Sequence, residues 1–296
     1  MRDVPTFTII VSYYPQLKIF NKLLESLLYQ VKRIYIIDNT NNQIKFFKKP
    51  YHEKIKTFYF NKNTGIAYAQ NVGINKAIEE GAEYIILSDQ DTIYPENYVS
   101  EMLKCFEDEK VAAAGPMFVD THTGNRQFFI VADKFRFKKI YPKSGKYEVL
   151  QLIASGTMIK VSALKEIGFM REEFFIDWVD MEWCWRAIKK GYKLIGNADV
   201  IVYHQHGENS VSFLGKEITI RKSWRYYYTI RNGIYLSVYS DLLSPYLRTL
   251  LFIKTLRNTF LYPFLTNPRL ESLKYSMLGL YHGLIGKLGK LNDGSH

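Results

Sequence analysis

The feature that most narrows what this chain can fold into is an alternation of strand-like and helix-like stretches over its first 120 residues. Residues 6–13 are apolar and β-branched and end at Pro15. Residues 16–30 then repeat apolar positions at helical spacing through Leu17, Phe20, Leu23, Leu24, Leu27 and Leu28. Residues 33–37 read as a second strand ending at Asp38, and 56–60 as a third. Residues 65–80 form an Ala-rich helical stretch stopped by Gly81, and 84–87 a fourth strand. A helix near 96–106 and a strand over 111–118 follow. This βαβα order predicts an α/β fold with a mostly parallel, doubly wound sheet and helices on both faces. Ligands of such sheets bind beyond the carboxyl ends of the strands. The residues at strand-to-helix junctions are therefore the ones to inspect.

The pattern breaks into short basic and aromatic pieces over 120–150, read as a hairpin or loop, and order returns over 149–160. Helices are expected over 163–167 and 179–190, with a strand over 200–203. From 216 onward the chain reads as wholly helical, which divides it into a catalytic domain, 1–215, and a C-terminal helical extension, 216–296. With 47% hydrophobic and 23% charged residues the chain is neither disordered nor collagen-like. Cys105 and Cys184 stand alone, without a CxxC or a Cys/His cluster, which excludes a disulfide scaffold and fits a reducing compartment. The N-terminal stretch does not read as a signal peptide. Charge is unevenly spread: residues 216–296 hold 12 Lys+Arg against 4 Asp+Glu, a net of +8 within a total of +11. No helix-turn-helix, RNP or zinc pattern accompanies it, which argues against a nucleic-acid partner and for an anionic membrane or a phosphorylated lipid. Residues 242–265 are apolar but interrupted by Arg248, Lys254, Arg257 and Pro263, so no spanning helix is expected. Their polar and apolar positions do not separate onto two clean faces. The basic, Tyr- and Leu-rich helices suit peripheral membrane contact or a homodimer interface, and Gly279, Gly283, Gly286 and Gly289 permit close helix packing.

Five constellations carry candidate chemistry. Ser88-Asp89-Gln90-Asp91-Thr92 follows the fourth strand, and its two carboxylates can approach one hard divalent cation that neutralises a diphosphate. Asp38-Asn39 ends the second strand, where an acid can accept hydrogen bonds from a base or ribose, or else cap a helix. Asn63-Thr64-Gly65 opens a helix that continues to Asn71 and Gly73. Gly65 allows close backbone approach to phosphate or ribose oxygens, though small residues also serve tight helix–sheet packing. No GxGxxG or P-loop occurs. The stretch 174–186 places Asp177, Asp180 and Glu182 among aromatics. Asp180 falls in the first turn of the expected helix, Glu182 and Arg186 form an i,i+4 pair, and Asp177 is suited to capping. Tyr203-His204-Gln205-His206-Gly207 sets an imidazole at a strand end, where it can complete the coordination shell. In the tail, Arg221, Arg225, Tyr228 and Asn232 are spaced as one helical stripe that can hold a diphosphate or form a solvated basic face.

Together these residues resemble the inverting glycosyltransferases of family 2, of GT-A fold, and most of all their bacterial rhamnosyltransferase branch. The resemblance covers residues 6–232 and rests, in order, on TIIVSYYP, IIDN, NxGIAxAxNxG, ILSDQDT, ASGTMI, FFIDWVDMEWCWRA, YHQHG and RYYYTIRN. It implies a nucleotide-sugar donor, dTDP-β-L-rhamnose from the branch, or a UDP-hexose in another branch. It also implies Mn2+ or Mg2+ held by Asp91 with Asp89 and His204. Asp38 would contact the donor base, with Tyr13, Asn63, Gly65, Asn71, Asp89 and Gln90 completing the donor side. Trp178, Arg225, Tyr228 and Arg231 would lie on the acceptor or diphosphate side. The broad family often carries Glu-Asp before its Asp-Leu-x-x-Arg tail. Aligned on Arg186, that pair falls on Val179 and Asp180, so the Glu is missing and Asp177 adds an acid one turn earlier. The general base implied is Asp180, with Asp177 as the alternative. The acceptor expected is a saccharide, carried on a lipid diphosphate, in cell-surface polysaccharide synthesis at the cytoplasmic face of the plasma membrane. A sugar-nucleotide nucleotidyltransferase shares the topology, but would carry a Gly-rich basic loop where this chain has SYYPQLK.

Overall fold

The computed structural model describes residues 4–41, 53–120, 124, 126–133, 136–204, 210–213 and 216–291. It forms two compact units, one of Met1–Met170 with Trp183–Gln205 and the other of Arg171–Glu182 with His206–His296.

In the first unit, strands β1 (Thr6–Ser12), β2 (Arg33–Asp38), β3 (Ile55–Tyr59) and β4 (Tyr84–Ser88) pair in parallel in the order β3-β2-β1-β4. Helices α1 (Leu17–Leu28) and α2 (Ile66–Glu79) are the crossovers that parallel pairing demands. Strand side chains alternate between the two faces. Ile10, Ile34, Ile36 and Ile86 pack with Phe20, Leu23, Leu24 and Leu27 of α1. On the other face Ile9 and Ile37 meet α2 so closely that a Cβ on Gly73 would lie 2.5 Å from a methyl of Ile9. The small residues of α2 thus serve packing on the sheet.

The remaining strands are β5 (Thr92–Ile93), β6 (Val111–Asp120), β7 (Phe129–Asp133), β8 (Arg136–Ile140), β9 (Lys146–Glu148), β10 (Thr157–Lys160) and β11 (Lys193–His204). Helices α3 (Tyr98–Leu103), α4 (Val161–Ile167) and α5 (Val179–Lys189) lie among them. The sheet extends as β4-β10-β6-β11-β5, with β9 on β11. Strands β6 and β11 run with the first four, whereas β10, β5 and β9 run against their neighbours. The sheet is therefore mostly parallel, with one antiparallel strand, β10, inside it. Strands β7 and β8 form the hairpin expected between 120 and 150. Helix α5 crosses from one unit to the other, its first turn belonging to the second.

The second unit opens differently from expectation. Strands β12 (Ser210–Phe213) and β13 (Lys216–Thr219) pair as a hairpin, so the extension is not helical from 216. Their β-branched residues Val211, Ile218 and Thr219 favour extended backbone. Helices α6 (Ser223–Tyr239), α7 (Pro245–Leu265) and α8 (Arg269–Leu284) follow. Helix α8 lies on α6 through its glycines: a Cβ on Gly279 would fall 2.5 Å from the Tyr227 carbonyl oxygen, and one on Gly283 2.8 Å from that of Arg231. The Ser223 and Ser272 hydroxyls meet at 3.0 Å in the same contact. Helix α7 lies on α6 through stacked Tyr226 and Tyr262 rings and through Thr255 against Gly233.

Backbone, unlike a side-chain tip, cannot rotate away from an added methyl. Gly279→Ala is therefore expected to destabilise the protein by about 1–3 kcal/mol, read as a lower midpoint in urea. An unchanged midpoint would contradict this packing.

Candidate active site

Parallel register brings three polar junctions of the first unit to one edge of the sheet. Ser12 pairs with Asp38 across β1 and β2, and Ile10 with Ser88 across β1 and β4. Asp38 is buried, and its carboxylate accepts hydrogen bonds from the Ser12 hydroxyl (3.2 Å) and the Thr40 N–H (3.1 Å). Gln90 spends its side-chain amide on the backbone of Tyr13: Oε1 accepts from the Tyr13 N–H at 2.7 Å and Nε2 donates to its carbonyl at 3.2 Å. Asn39 accepts from the N–H and hydroxyl of Thr64 and donates to Asn63 and Gly65. Asn63 in turn receives the Gly65 N–H, and Gly65 sits at φ +85°, a conformation that favours glycine, as the N-cap of α2. Asn71 exchanges two 2.9 Å hydrogen bonds with the backbone of Met170.

Of the donor-side residues expected from the sequence, Asn63, Asn71 and Gln90 therefore hold loop backbone in place. Buried amides bonded at both ends in this way fix loops that have no ladder of their own.

The Asp89–Asp91 turn is pinned by hydroxyls. Tyr94 donates to Ser88 (2.8 Å), Ser88 to the Asp89 carbonyl, and the Asp89 N–H to Ser155 (3.1 Å), whose hydroxyl also meets that of Thr92 at 2.6 Å. Both aspartates are half-buried. The backbone of His204 pairs with Thr92, the residue after Asp91, and residues 205–207 of that motif lie outside the described residues. Two hard carboxylates at a strand end fit Mg2+ or Mn2+, which bind through one or two carboxylates together with substrate phosphates. Among the described residues no group of three His, Cys, Asp or Glu side chains forms a metal site on protein ligands alone.

The second unit contains a different constellation, centred on Asp177. Its side chain is 9% exposed and receives both Arg221 and Arg225. Arg225 reaches both carboxylate oxygens, at 3.0 and 3.3 Å, and the Thr229 hydroxyl donates at 2.7 Å. Burial by itself would raise this carboxyl, but the two guanidinium groups and the hydrogen bonds outweigh it and hold the group well below the usual carboxylate range.

The surrounding backbone is unusual, with Phe175, Asp177 and Trp178 all at φ between +62° and +66°. Such residues cost of order 1–3 kcal/mol each and persist only where their surroundings over-determine them. Here the Asn232 amide donates to the carbonyls of Phe174, Ile176 and Asp177, and Arg231 to those of Glu173, Phe174 and Gly289. The Trp178 indole N–H donates to the Thr229 carbonyl at 2.9 Å. This held loop leads directly into α5, whose first turn carries half-buried Asp180.

Several expectations change. Arg221 precedes α6 and is not on its helical stripe. Arg231 and Tyr228 are fully buried, the former bonded to carbonyls and the latter stacked on Phe175, and so do not present a diphosphate-binding face. Arg225 is committed to Asp177, and Trp178 is anchored on α6. Sequence reasoning overlooked Thr229 and Ser155, small hydroxyl residues that carry no signal of their own.

The mostly parallel sheet with acids gathered at its carboxyl edge has the fold of GT-A glycosyltransferases. The chain belongs to glycosyl transferase family 2, whose model matches residues 8–168. It is 33% identical over 233 residues, 78% of this chain and 79% of that protein, to a protein of Shigella flexneri described as dTDP-rhamnosyl transferase RfbF. Among solved structures it is similar in fold to GalNAc-T7 crystallised with UDP, GalNAc and Mn2+, with a TM-score of 0.63 at 14% identity. That match covers 96% of this chain and 57% of the other. Residues 1–349 of S. aureus TarS give a TM-score of 0.59 at 14% identity, over 96% and 81% of the two chains. Family membership sets aside the nucleotidyltransferase reading.

Removing the negative partner of two partly buried guanidinium groups leaves them uncompensated. Asp177→Asn is expected to lose about 3–5 kcal/mol of stability at pH 7. The folded-state value lies below the unfolded 3.8, so this contribution is full above that pH and shrinks as pH falls below it. Urea unfolding should therefore show a wide gap between wild type and variant at neutral pH and a narrower one in acid. A gap that does not change with pH would contradict the assignment.

Proposed function

We propose that the protein transfers L-rhamnose from dTDP-β-L-rhamnose to a saccharide acceptor, with inversion at the anomeric carbon. The observation that carries the choice of donor is the 33% identity, across most of both chains, to a protein described as a dTDP-rhamnosyl transferase. The acceptor is read as a lipid-diphosphate-linked saccharide, used in cell-surface polysaccharide synthesis at the cytoplasmic face of the plasma membrane.

On the donor side, Asp38 accepts hydrogen bonds from the nucleoside, while the Gln90–Tyr13 clamp and the Asn39–Asn63–Gly65 network keep the surrounding loops in one conformation. Asp89 and Asp91 would hold a divalent cation, with His204 beside them, and such a cation supplies positive charge against the diphosphate as it departs. Asp180 accepts the proton of the acceptor hydroxyl as that oxygen attacks from the face opposite the leaving group. Asp177 is not suited to that work, since a carboxylate whose charged form is held by two arginines and a threonine is a weak proton acceptor near neutral pH. We assign it instead to holding the loop that leads to Asp180. One displacement forms the new glycosidic bond and breaks the bond to the diphosphate.

Two variants test the reading. Asp180→Asn is expected to bind donor as wild type does and to lose transfer by at least about 100-fold, measured as release of nucleoside diphosphate in the presence of acceptor. Turnover near the wild-type rate would remove Asp180 from the role of base. Asp91→Ala is expected to abolish the Mn2+-dependent part of dTDP binding in calorimetry, and unchanged binding would remove it from the metal role.

A further inference from the structure

The outer faces of α7 and α8 are apolar where a water-facing surface would be polar. On α7, Tyr246, Leu250, Ile253, Phe260 and Phe264 are all exposed, Ile253 by 57% and Phe264 by 60%. Their spacings of four, three, seven and four residues keep them on one side of the helix. On α8, Leu270, Leu273, Met277, Tyr281 and Leu284 do the same, with Leu270 83% exposed. The opposite sides of both helices are the ones packed on α6, through Thr255 and Tyr262 of α7 and Ser272, Gly279 and Gly283 of α8. Both stripes therefore turn away from α6. The sequence alone showed no clean separation of faces on 242–265, because buried Thr255, Asn258 and Thr259 place polar residues on the inner side as well.

Charge decides what covers these stripes. Lys254, Arg257, Arg269 and Lys274 are exposed among them, α7 carries no acid, and α8 carries only Glu271. A second copy apposed by a two-fold axis would bring basic residues against basic residues. An anionic bilayer offers the opposite sign together with an apolar interior for the leucine, phenylalanine and isoleucine side chains, and an interface at which tyrosine is favoured. Helix α7 is about 30 Å long at 1.5 Å per residue, an extended lying surface, and no described helix is long and apolar enough to cross a membrane.

We propose that the outward faces of α7 and α8 form a docking surface for an anionic lipid bilayer, lying in its interface. This deepens the membrane-side part of the proposed function and rests on that reading only for its purpose. Binding to lipid is measured without any sugar transfer, so either can fail alone.

The test is co-sedimentation of the full chain with vesicles of equal parts phosphatidylglycerol and phosphatidylcholine, against phosphatidylcholine alone. Binding to the anionic vesicles is expected to be stronger by at least about tenfold. It should be lost in the combined variant Ile253→Ser, Phe260→Ser, Leu270→Ser and Met277→Ser, whose positions are exposed. A second variant, Lys254→Glu with Lys274→Glu, should lose the preference for anionic vesicles. Nucleoside-diphosphate release in the absence of vesicles should stay at the wild-type rate in both. Failure of the wild type to sediment with anionic vesicles, or undiminished binding by the serine variant, would overturn the proposal. So would a stable lipid-free dimer, seen by light scattering, that the same serine substitutions disperse.

Discussion

Parallel pairing of β1 with both β2 and β4 is the constraint on which the polar carboxyl edge of the sheet depends. In a parallel pair every strand leaves the sheet at the same edge, so the residues that follow three separate strands are brought together by hydrogen-bond register alone. Register here sets Ser12 opposite Asp38 and Ile10 opposite Ser88. A slip of one residue would turn Ile10 and Ile34 from the α1 face to the α2 face, so burial on both faces fixes the register. The loops at that edge are then tied by side-chain amides, with Gln90 bonded to Tyr13 and Asn39 to residues 63–65. The carboxylate of Asp89 is thus carried by a residue whose own backbone N–H and carbonyl are engaged by Ser155 and Ser88.

The second unit solves a different problem. Three of four consecutive non-glycine positions, Phe175, Asp177 and Trp178, lie at positive φ, and strain of that kind needs many fixed contacts to hold it. Asn232, Arg231, Trp178 and the Asp177 ion-pair centre supply them. Asp177 is largely buried, with 9% of its side chain exposed, and its charge is kept by three donors. Buried charges of this sort stabilise little in net terms, but removing one partner is costly. Such a centre specifies one loop conformation, and in this protein the loop runs straight into the turn that bears Asp180.

Much of this was legible in the sequence, and what was not has physical causes. The βα alternation and the helix over 179–189 follow from periodicity and composition, while the stretch between 120 and 150 read equally as a hairpin or a loop. The antiparallel strand β10 inside the sheet does not, because a four-residue strand has the same apolar pattern in either direction. The hairpin of β12 and β13 has strands of only four residues, too short for period-two alternation to stand out. Asp38, Asp89 and Asp91 were visible as acids at strand ends. The roles of Asn71 and Gln90 were not, since an amide that binds a ligand and one that binds a distant backbone look alike in one dimension. The strained loop had no glycine to announce it. Tyr228 read as part of a stripe with Arg221, Arg225 and Asn232 because helical spacing defines a face without saying which way it points.

The uneven charge has acquired a location: the helices that bear it also carry the apolar side chains turned away from α6, while Asp38, Asp89 and Asp91 stand at the sheet edge and Asp177 in its ion-pair centre. The central proposal, that Asp38, Asp89, Asp91 and Asp180 serve a single displacement on a nucleotide sugar, is tested most directly by the anomeric configuration of the first product formed. With dTDP-β-L-rhamnose, divalent metal and a saccharide acceptor, the one-bond carbon–hydrogen coupling at the new anomeric centre, read by NMR, should report an α-linked rhamnose, the configuration opposite to that of the donor. A β-linked product would mean retention, and would contradict a single displacement with Asp180 as its base.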